Sequence, residues 1–367
     1  MVWRIFGAPF DPLDRPEKVE LQRAYLLAVQ KGVLPATHPL DPYDLILDCL
    51  PPDFIGSQAQ PLDKFPIPGW LRPRPLIEDL PSLKPMHFTA FLDSGGCEEM
   101  TLDLKEYVSR RVFPDSPLMV GVDHCLTGGI LMALAERLGP EKYSVLLLDS
   151  HFDGIPLKIR RQAGLRALSH DPTVTSPFIC GDNAPGEFSH YVESYCCGNF
   201  LNYLLMQGTM LPEYTFVVGV TDYPFYNDSS CMDPRQELYK KSYEGFQRMG
   251  VTFIPGGEYE PLLLGRLQEV LNSISTPWVY LSIDADIGAR NALYAARFLD
   301  RRGLSAATIG HIFDLIGRYI RMGAFQLVGV DIMEIDVHLA GVTLPTGIVD
   351  QTAQFFGREF QKLFCRS

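Results

Sequence analysis

The sequence has no apolar run long enough to cross a bilayer, and its first ten residues, Met1 to Phe10, lack a signal-peptide pattern. Positive charge is scarce. Only 32 lysines and arginines stand against 44 acidic residues, a formal net charge of -12. Nucleic acids and anionic membranes call for basic patches, so neither is an expected partner, whereas a cationic substrate is compatible with this balance. The eight cysteines lack metal-type or framework spacing. In a chain this long they read as reduced thiols of a cytoplasmic protein. What remains is an ordinary globular composition, 46% hydrophobic over 367 residues. That length allows one large α/β domain or two smaller ones.

Proline is plentiful in one place. Between about Pro35 and Pro85 it crowds the chain, with Pro51, Pro52, Pro66, Pro68, Pro73 and Pro75 the densest part. Long helices and central strands are excluded there. The same stretch holds Leu45, Ile46, Leu47, Phe54, Phe65 and Trp70, so it reads as an ordered arm that serves packing or oligomer contact, with substrate contact as the alternative. Before it, Trp3 to Asp11 reads as a short strand entering a turn. Glu17 to Gln30 reads as a helix, with Leu21, Tyr25 and Leu26 at helical spacing.

Chemistry concentrates after short apolar runs. Leu118 to Val122 reads as a buried strand that leads into Asp123 and His124. A helix from Cys125 to Leu138 follows, with Ile130, Leu131, Leu134 and Leu138 on one side. The next strand ends in Asp149-Ser-His151-Phe-Asp153. Strand, helix, strand at this spacing predicts a right-handed parallel crossover. That places His124 at a strand end adjoining Asp149, at the carboxyl edge where α/β sheets collect ligands. Trp278 to Ile283 is a further buried strand, and Asp284-Ala-Asp286 follows it. Residues spaced by two in extended chain share a side. Further strands are expected at Tyr214–Val220, Val251–Ile254 and Phe325–Val330. Helices are expected at Asn199–Gln207, Pro261–Ile274 and Ala306–Met322, the last with Ser305 as N-cap. A final amphipathic helix is expected from about Val349 to Phe364, with Val349, Ala353, Phe356, Phe360 and Leu363 on its face.

Six candidate ligands emerge: His124, Asp149, His151, Asp153, Asp284 and Asp286. Four carboxylates and two imidazoles carry too much charge for one ion and suit two divalent cations that share carboxylates. The set is oxygen-rich and lacks thiolate, which favours Mn2+ over structural zinc. A pair of ions about 3.5–4 Å apart lowers the pKa of a shared water towards neutrality.

These stretches resemble the arginase and agmatinase family, the ureohydrolases. Gly121-Val-Asp-His-Cys125 is similar to the family's Gly-Gly-Asp-His-Ser, Asp149-Ser-His-Phe-Asp153 to its Asp-Ala-His-x-Asp, and Ser282-Ile-Asp-Ala-Asp286 to its Ser-x-Asp-x-Asp. Gly303-Leu-Ser305 and Asp331-Ile-Met-Glu334 are fainter echoes of its Gly-Leu-Thr and Asp-x-x-Glu. The likeness spans roughly Leu118 to the C-terminus and leaves out the arm. It implies a single three-layer αβα domain over residues 1–367, with a mostly parallel sheet of about eight strands. It implies two Mn2+ ions, one held by His124, Asp149, Asp153 and Asp284, the other by His151, Asp149, Asp284 and Asp286. Asp153 would take a proton from the attacking water. Glu334 would pair with the guanidinium of the substrate, and the products would be urea and an amine. Family members usually form trimers or hexamers, so the resemblance also implies a homo-oligomer.

Four departures bear on the substrate. Cys197-Gly198 stands where the family has a proton-shuttling histidine before a glycine, which leaves Cys197, His190 or His170 for that role. Ile155 stands where free-arginine enzymes have an asparagine for the α-carboxylate. The segment from Asp153 to Cys197 is longer than in ordinary arginases. Ile287-Gly288-Ala289 lacks the usual Asp-Pro. Together they imply a remodelled pocket mouth and a guanidine without a free α-carboxylate. Arginine within a peptide is the leading expectation, with agmatine and free arginine as alternatives. An amide or formimino hydrolase on the same fold and a non-catalytic binding protein are the remaining readings. The complete two-metal ligand set speaks against a one-zinc deacetylase pattern and against a non-catalytic protein.

Overall fold

The computed structural model describes residues 2–13, 16–35, 41–160, 192–223, 234–257, 259–299, 302–345 and 347–364. Eight strands form one sheet: β1 (Trp3–Ala8), β2 (Ala59–Pro61), β3 (Ser116–Gly121), β4 (Tyr143–Leu148), β5 (Thr215–Val220), β6 (Thr252–Pro255), β7 (Trp278–Asp284) and β8 (Gln326–Met333). Their order is β2-β1-β3-β8-β7-β4-β5-β6, and every pairing is parallel. A parallel sheet is covered on both faces, so its strands read as continuous apolar runs. That is the pattern of β3, β4 and β5, which are buried at every position.

Two helical layers supply the cover. On one face lie α1 (Pro16–Gln30), α3 (Pro85–Asp93), α4 (Gly96–Tyr107), α5 (Thr127–Leu138), α6 (Phe200–Met206) and α7 (Pro234–Met249). On the other lie α2 (Pro42–Cys49), α8 (Glu260–Ser273), α9 (Ala306–Arg321) and α10 (Thr352–Phe364). Strand pleating divides the side chains between them. On β4, Val145 and Leu147 join the first core, and Leu146 and Leu148 the second. The result is the expected three-layer αβα arrangement. Among the described residues no helix is long and apolar enough to cross a membrane.

Among the described residues, the Pro-rich arm holds only the eight-residue α2, the edge strand β2 and two short 3-10 turns. It passes from one face of the sheet to the other. Tyr43, Ile46, Leu50 and Phe54 bury in the second core, and Phe65, Ile67, Leu71 and Leu83 in the first.

Several details differ from the sequence reading. β3 and β4 are not neighbours, because β8 and β7 are inserted between them. Strand adjacency is a long-range property that local spacing does not encode. The helix expected from Cys125 opens as a 3-10 turn, His124–Leu126, before α5 begins. Leu21 is 72% exposed, and Val19 and Leu26 are the residues that α1 buries. Val349 is exposed and precedes α10. Helix α7 carried no aliphatic signal. It packs instead through Tyr239, Tyr243 and Phe246, spaced four and three apart.

Helices α4 and α5 approach closely at Gly129, where an added Cβ would lie 2.6 Å from the Thr101 carbonyl oxygen. Gly129→Ala is therefore expected to cost about 1–3 kcal/mol. Gly245 on α7 has open space around it, so Gly245→Ala is expected to stabilise by about 0.5–1 kcal/mol. Urea-unfolding midpoints check both. Equal midpoints for the two variants would contradict this packing.

Candidate metal centre

Four central strands deliver the site, and in each the apolar run stops at the carboxyl edge. β3 runs into Val122 and Asp123, whose Oδ1 accepts the Cys125 N–H at 3.1 Å and caps the turn that carries His124. β4 leads to Asp149, His151 and Asp153, β7 to Asp284 and Asp286, and β8 to Glu334. His124, Asp149, His151, Asp153, Asp284, Asp286 and Glu334 are all buried.

The carboxylates are fixed by one oxygen and presented by the other. Asp149 Oδ1 accepts the His151 N–H at 2.6 Å, and Asp284 Oδ1 accepts the Asp286 N–H at 2.7 Å. Asp286 Oδ1 accepts the Ser150 N–H at 3.0 Å and so ties the end of β7 to that of β4. The free oxygens converge. His124 Nδ1 lies 3.4 Å from Asp149 Oδ2, 3.1 Å from Asp153 Oδ2 and 3.1 Å from Asp284 Oδ2. His151 Nδ1 lies 2.5 Å from Asp286 Oδ2.

These atoms fit divalent cations better than they fit one another. Among the described residues His124 Nδ1, Asp149 Oδ2, His151 Nε2 and Asp286 Oδ2 are buried with no hydrogen-bond partner, an arrangement that otherwise costs the full desolvation of each group. Donor atoms of His124, Asp149, Asp153 and Asp284 all lie within 4.8 Å of one another. So do those of Asp149, His151 and Asp286, and those of Asp284, Asp286 and Glu334. Asp149 thus belongs to two groups, as the sequence reading expects of a shared ligand. Asp284 clusters with Asp286 and Glu334 rather than with His151.

The electrostatics point the same way. Burial and the Asp153, Asp284 and Asp286 carboxylates push the Asp149 carboxyl well above its ordinary range. Burial and Asp286 move Asp284 up to about 7. Burial opposes the His124 imidazolium, but the facing carboxylates of Asp149, Asp153 and Asp284 outweigh it and raise the pKa strongly. Burial also opposes the charged form of His151, and Asp286 overrides it, to about 10. Glu334 is pushed well up by burial and by Asp284. It sits at φ +62°, a left-handed conformation unusual for a residue other than glycine.

A hydrogen-bond chain behind the site orients His124. Thr127 and Tyr280 donate to Asp331 Oδ2, at 2.7 and 2.5 Å, and Ser282 Oγ donates to Asp331 Oδ1 at 2.7 Å. Having given its hydrogen to Asp331, Ser282 can only accept from His124 Nε2, 2.9 Å away. That fixes a proton on Nε2 and turns Nδ1 towards the carboxylates.

Two buried arginines went unread in the sequence. Arg160 Nη2 donates to Asp153 Oδ1 at 3.2 Å and to the Phe152 carbonyl at 2.6 Å. Arg297 pairs with Asp123 Oδ2 at 2.5 Å and with Asp11 Oδ1 at 3.1 Å, and its backbone N–H donates to the Glu334 carbonyl at 2.8 Å. Neither lies in a motif, so only the folded chain reveals them. Cys197 is half-buried, and its Cys196 neighbour and burial raise its thiol well above the ordinary value. His170 and His190 lie outside the described residues. Ile155 is fully buried in the core.

A sequence profile described as the Arginase family matches residues 78–343, well over half of the chain. The match begins within the last part of the arm, earlier than Leu118, and ends before α10. No curated protein sequence matches the chain. Among solved structures it is similar to a proclavaminate amidino hydrolase from Streptomyces clavuligerus, at 16% identity and a TM-score of 0.54, covering 99% of this chain and 90% of that one. It is also similar to an arginase from Bacillus cereus, at 12% identity and a TM-score of 0.54, covering 100% and 99% of the two chains. A formimidoylglutamase from Bacillus subtilis aligns at 13% identity and a TM-score of 0.53, covering 99% and 86%. At these identities the structural likeness is one of fold.

Two outcomes are expected from metal analysis. Protein dialysed against Mn2+ should retain about two ions per chain, Asp153→Asn about one, and Asp149→Asn, which strips both groups, fewer than one. Equal contents would break the assignment. Ser282→Ala, which removes the acceptor for His124 Nε2, should weaken cation affinity by about 10- to 100-fold. Because binding must displace protons from groups such as Asp284, near 7, affinity should rise with pH through that value. Calorimetric titrations at several pH values check the sign.

Proposed function

The chain belongs to the arginase family, hydrolases of guanidino and amidino C–N bonds, and on that premise we propose that it cleaves the guanidino group of an arginine-like substrate, with arginine inside a peptide preferred. The observation that carries this reading is the convergence of buried carboxylate and imidazole donors at the four central strand ends. His124, Asp149, Asp153 and Asp284 would hold one cation, and His151, Asp149, Asp284 and Asp286 the other. We assign both as Mn2+, since the donors are oxygen-rich and free of thiolate. When bound, the pair supplies charge neutralisation and an activated water for attack on the guanidinium carbon.

The chain's own groups do the rest. Glu334 presents a carboxylate beside Asp284 and Asp286, the acceptor that a planar, forked cation requires. A bound guanidinium would also favour its ionised form against the burial that now raises its pKa. Asp153 takes the remaining proton of the water, with Arg160 steadying its Oδ1. The leaving amine takes its proton from a side-chain acid of this chain. Cys197 holds one at neutral pH, since its thiol is shifted up, and His190 is the alternative. Collapse then yields urea and an ornithine-like amine. The preference for a peptide draws support from Ile155, whose apolar side chain is turned into the core and offers nothing to a free α-carboxylate.

After Mn2+ loading, urea release is expected from a blocked arginyl peptide, with free arginine much poorer and Asp149→Asn inactive. Glu334→Gln should lower kcat/KM for the peptide by about tenfold or more, the scale of a lost charge-assisted bond. Efficient turnover of free arginine would overturn the peptide preference. No urea from peptide, agmatine or arginine would overturn the reaction.

A further inference from the structure

A cavity of about 620 Å3, which the reaction as described does not use, is lined in part by Val122, Arg297 and Ile335, on chain segments that adjoin the candidate metal centre. Three segments far apart in sequence wall it: α1, the arm from Pro73 to Glu78, and the chain after β8 from Ile335 to His338. They are tied together at one point. The Pro73 carbonyl lies 3.0 Å from Gln22 Nε2, which donates to it, and 3.0 Å from His338 Nε2, while Arg74 Nη2 donates to the Val337 carbonyl at 3.2 Å. This is a built wall, and it gives the arm a task beyond the packing expected of it.

The cavity is continuous in backbone with the candidate site. Among its lining residues, Val122 precedes Asp123 and His124, Ile335 follows Glu334, and the Arg297 N–H donates to the Glu334 carbonyl. Its rim carries exposed apolar side chains, with Leu21 at 72% and Leu76 and Ile77 at 40% each. A cavity this size suits a ligand well beyond a lone alkylguanidine. Its walls are largely apolar, which suits an apolar side chain of a substrate.

We infer that this cavity is a recognition site for an apolar side chain flanking the guanidino side chain of a peptide substrate. The inference rests on the peptide reading of the function but is read out separately from it. Leu21 and Ile77 hold the outer part of that apolar side chain.

The test uses the Mn2+-loaded full chain and two blocked peptides, acetyl-Leu-Arg-Leu-amide and acetyl-Ser-Arg-Ser-amide, with agmatine as the guanidine that lacks flanks. KM comes from urea release. Kd comes from titration calorimetry with the corresponding lysyl peptides, which cannot release urea. The leucyl peptides are expected to show KM and Kd about tenfold below the seryl ones. Leu21→Ser with Ile77→Ser, both at exposed positions that spare the core, should erase that difference and leave KM for agmatine unchanged. Equal constants for the two flanks, or a preference that survives the double substitution, overturns the inference while leaving the hydrolase reading intact. A leucyl preference in Kd without urea from any compound supports the cavity and overturns the hydrolase reading.

Discussion

Mutual repulsion among buried carboxylates is the constraint around which this molecule is arranged. Asp149, Asp153, Asp284, Asp286 and Glu334 are all buried at one edge of the sheet. At an effective dielectric of about 20, two unit charges 4 Å apart repel by roughly 4 kcal/mol. The chain meets that repulsion in layers. Backbone N–H groups of Ser150, His151 and Asp286 hold one oxygen of each of three aspartates. Two imidazoles face the remaining oxygens, Arg160 reaches Asp153, and the Arg297 guanidinium, paired with Asp123, favours the ionised form of Glu334. Orphaned donor atoms remain after all of this. A site in that condition is suited to divalent cations, whose charge turns each repulsive group into a ligand.

Holding such a cluster takes a frame that cannot relax. The sheet supplies it by burying its central strands between two apolar layers. Close-packed interiors resist small displacements, so strand ends keep their spacing even where the groups they carry repel. The fixed frame also explains the cost accepted at Glu334, where a left-handed backbone conformation aims a carboxylate into the cluster. Local strain of this kind persists only where the surroundings over-determine it. Here the Val122 carbonyl accepts the Glu334 N–H, and the Arg297 N–H donates to the Glu334 carbonyl.

The same frame leaves room on one side. The arm and α1 meet the chain after β8 through contacts at Pro73, and they enclose a largely apolar space next to the polar cluster. The polar cluster and this apolar space thus lie on chain segments that adjoin at one sheet edge; on the proposed reading, reactivity would come from the first and selectivity for a substrate from the second.

The sequence by itself marked where the apolar runs stop and which six candidate donors follow them. Apolar runs and spacing by two are local features, and Asp149, His151, Asp153, Asp284 and Asp286 fell at the carboxyl edge where their runs placed them. It also told where long helices and central strands are excluded, between about Pro35 and Pro85, and among the described residues there only the eight-residue α2, the edge strand β2 and short turns occur. The tertiary structure alone decided which strands are neighbours, putting β8 and β7 between β3 and β4. It brought Ser282 to His124 across 158 residues and Arg297 to Asp123 across 174. It also shaped the cavity from three distant segments. Such contacts leave no periodicity and no spacing in the chain, because they are chosen by how layers pack and not by how neighbours along the backbone fold.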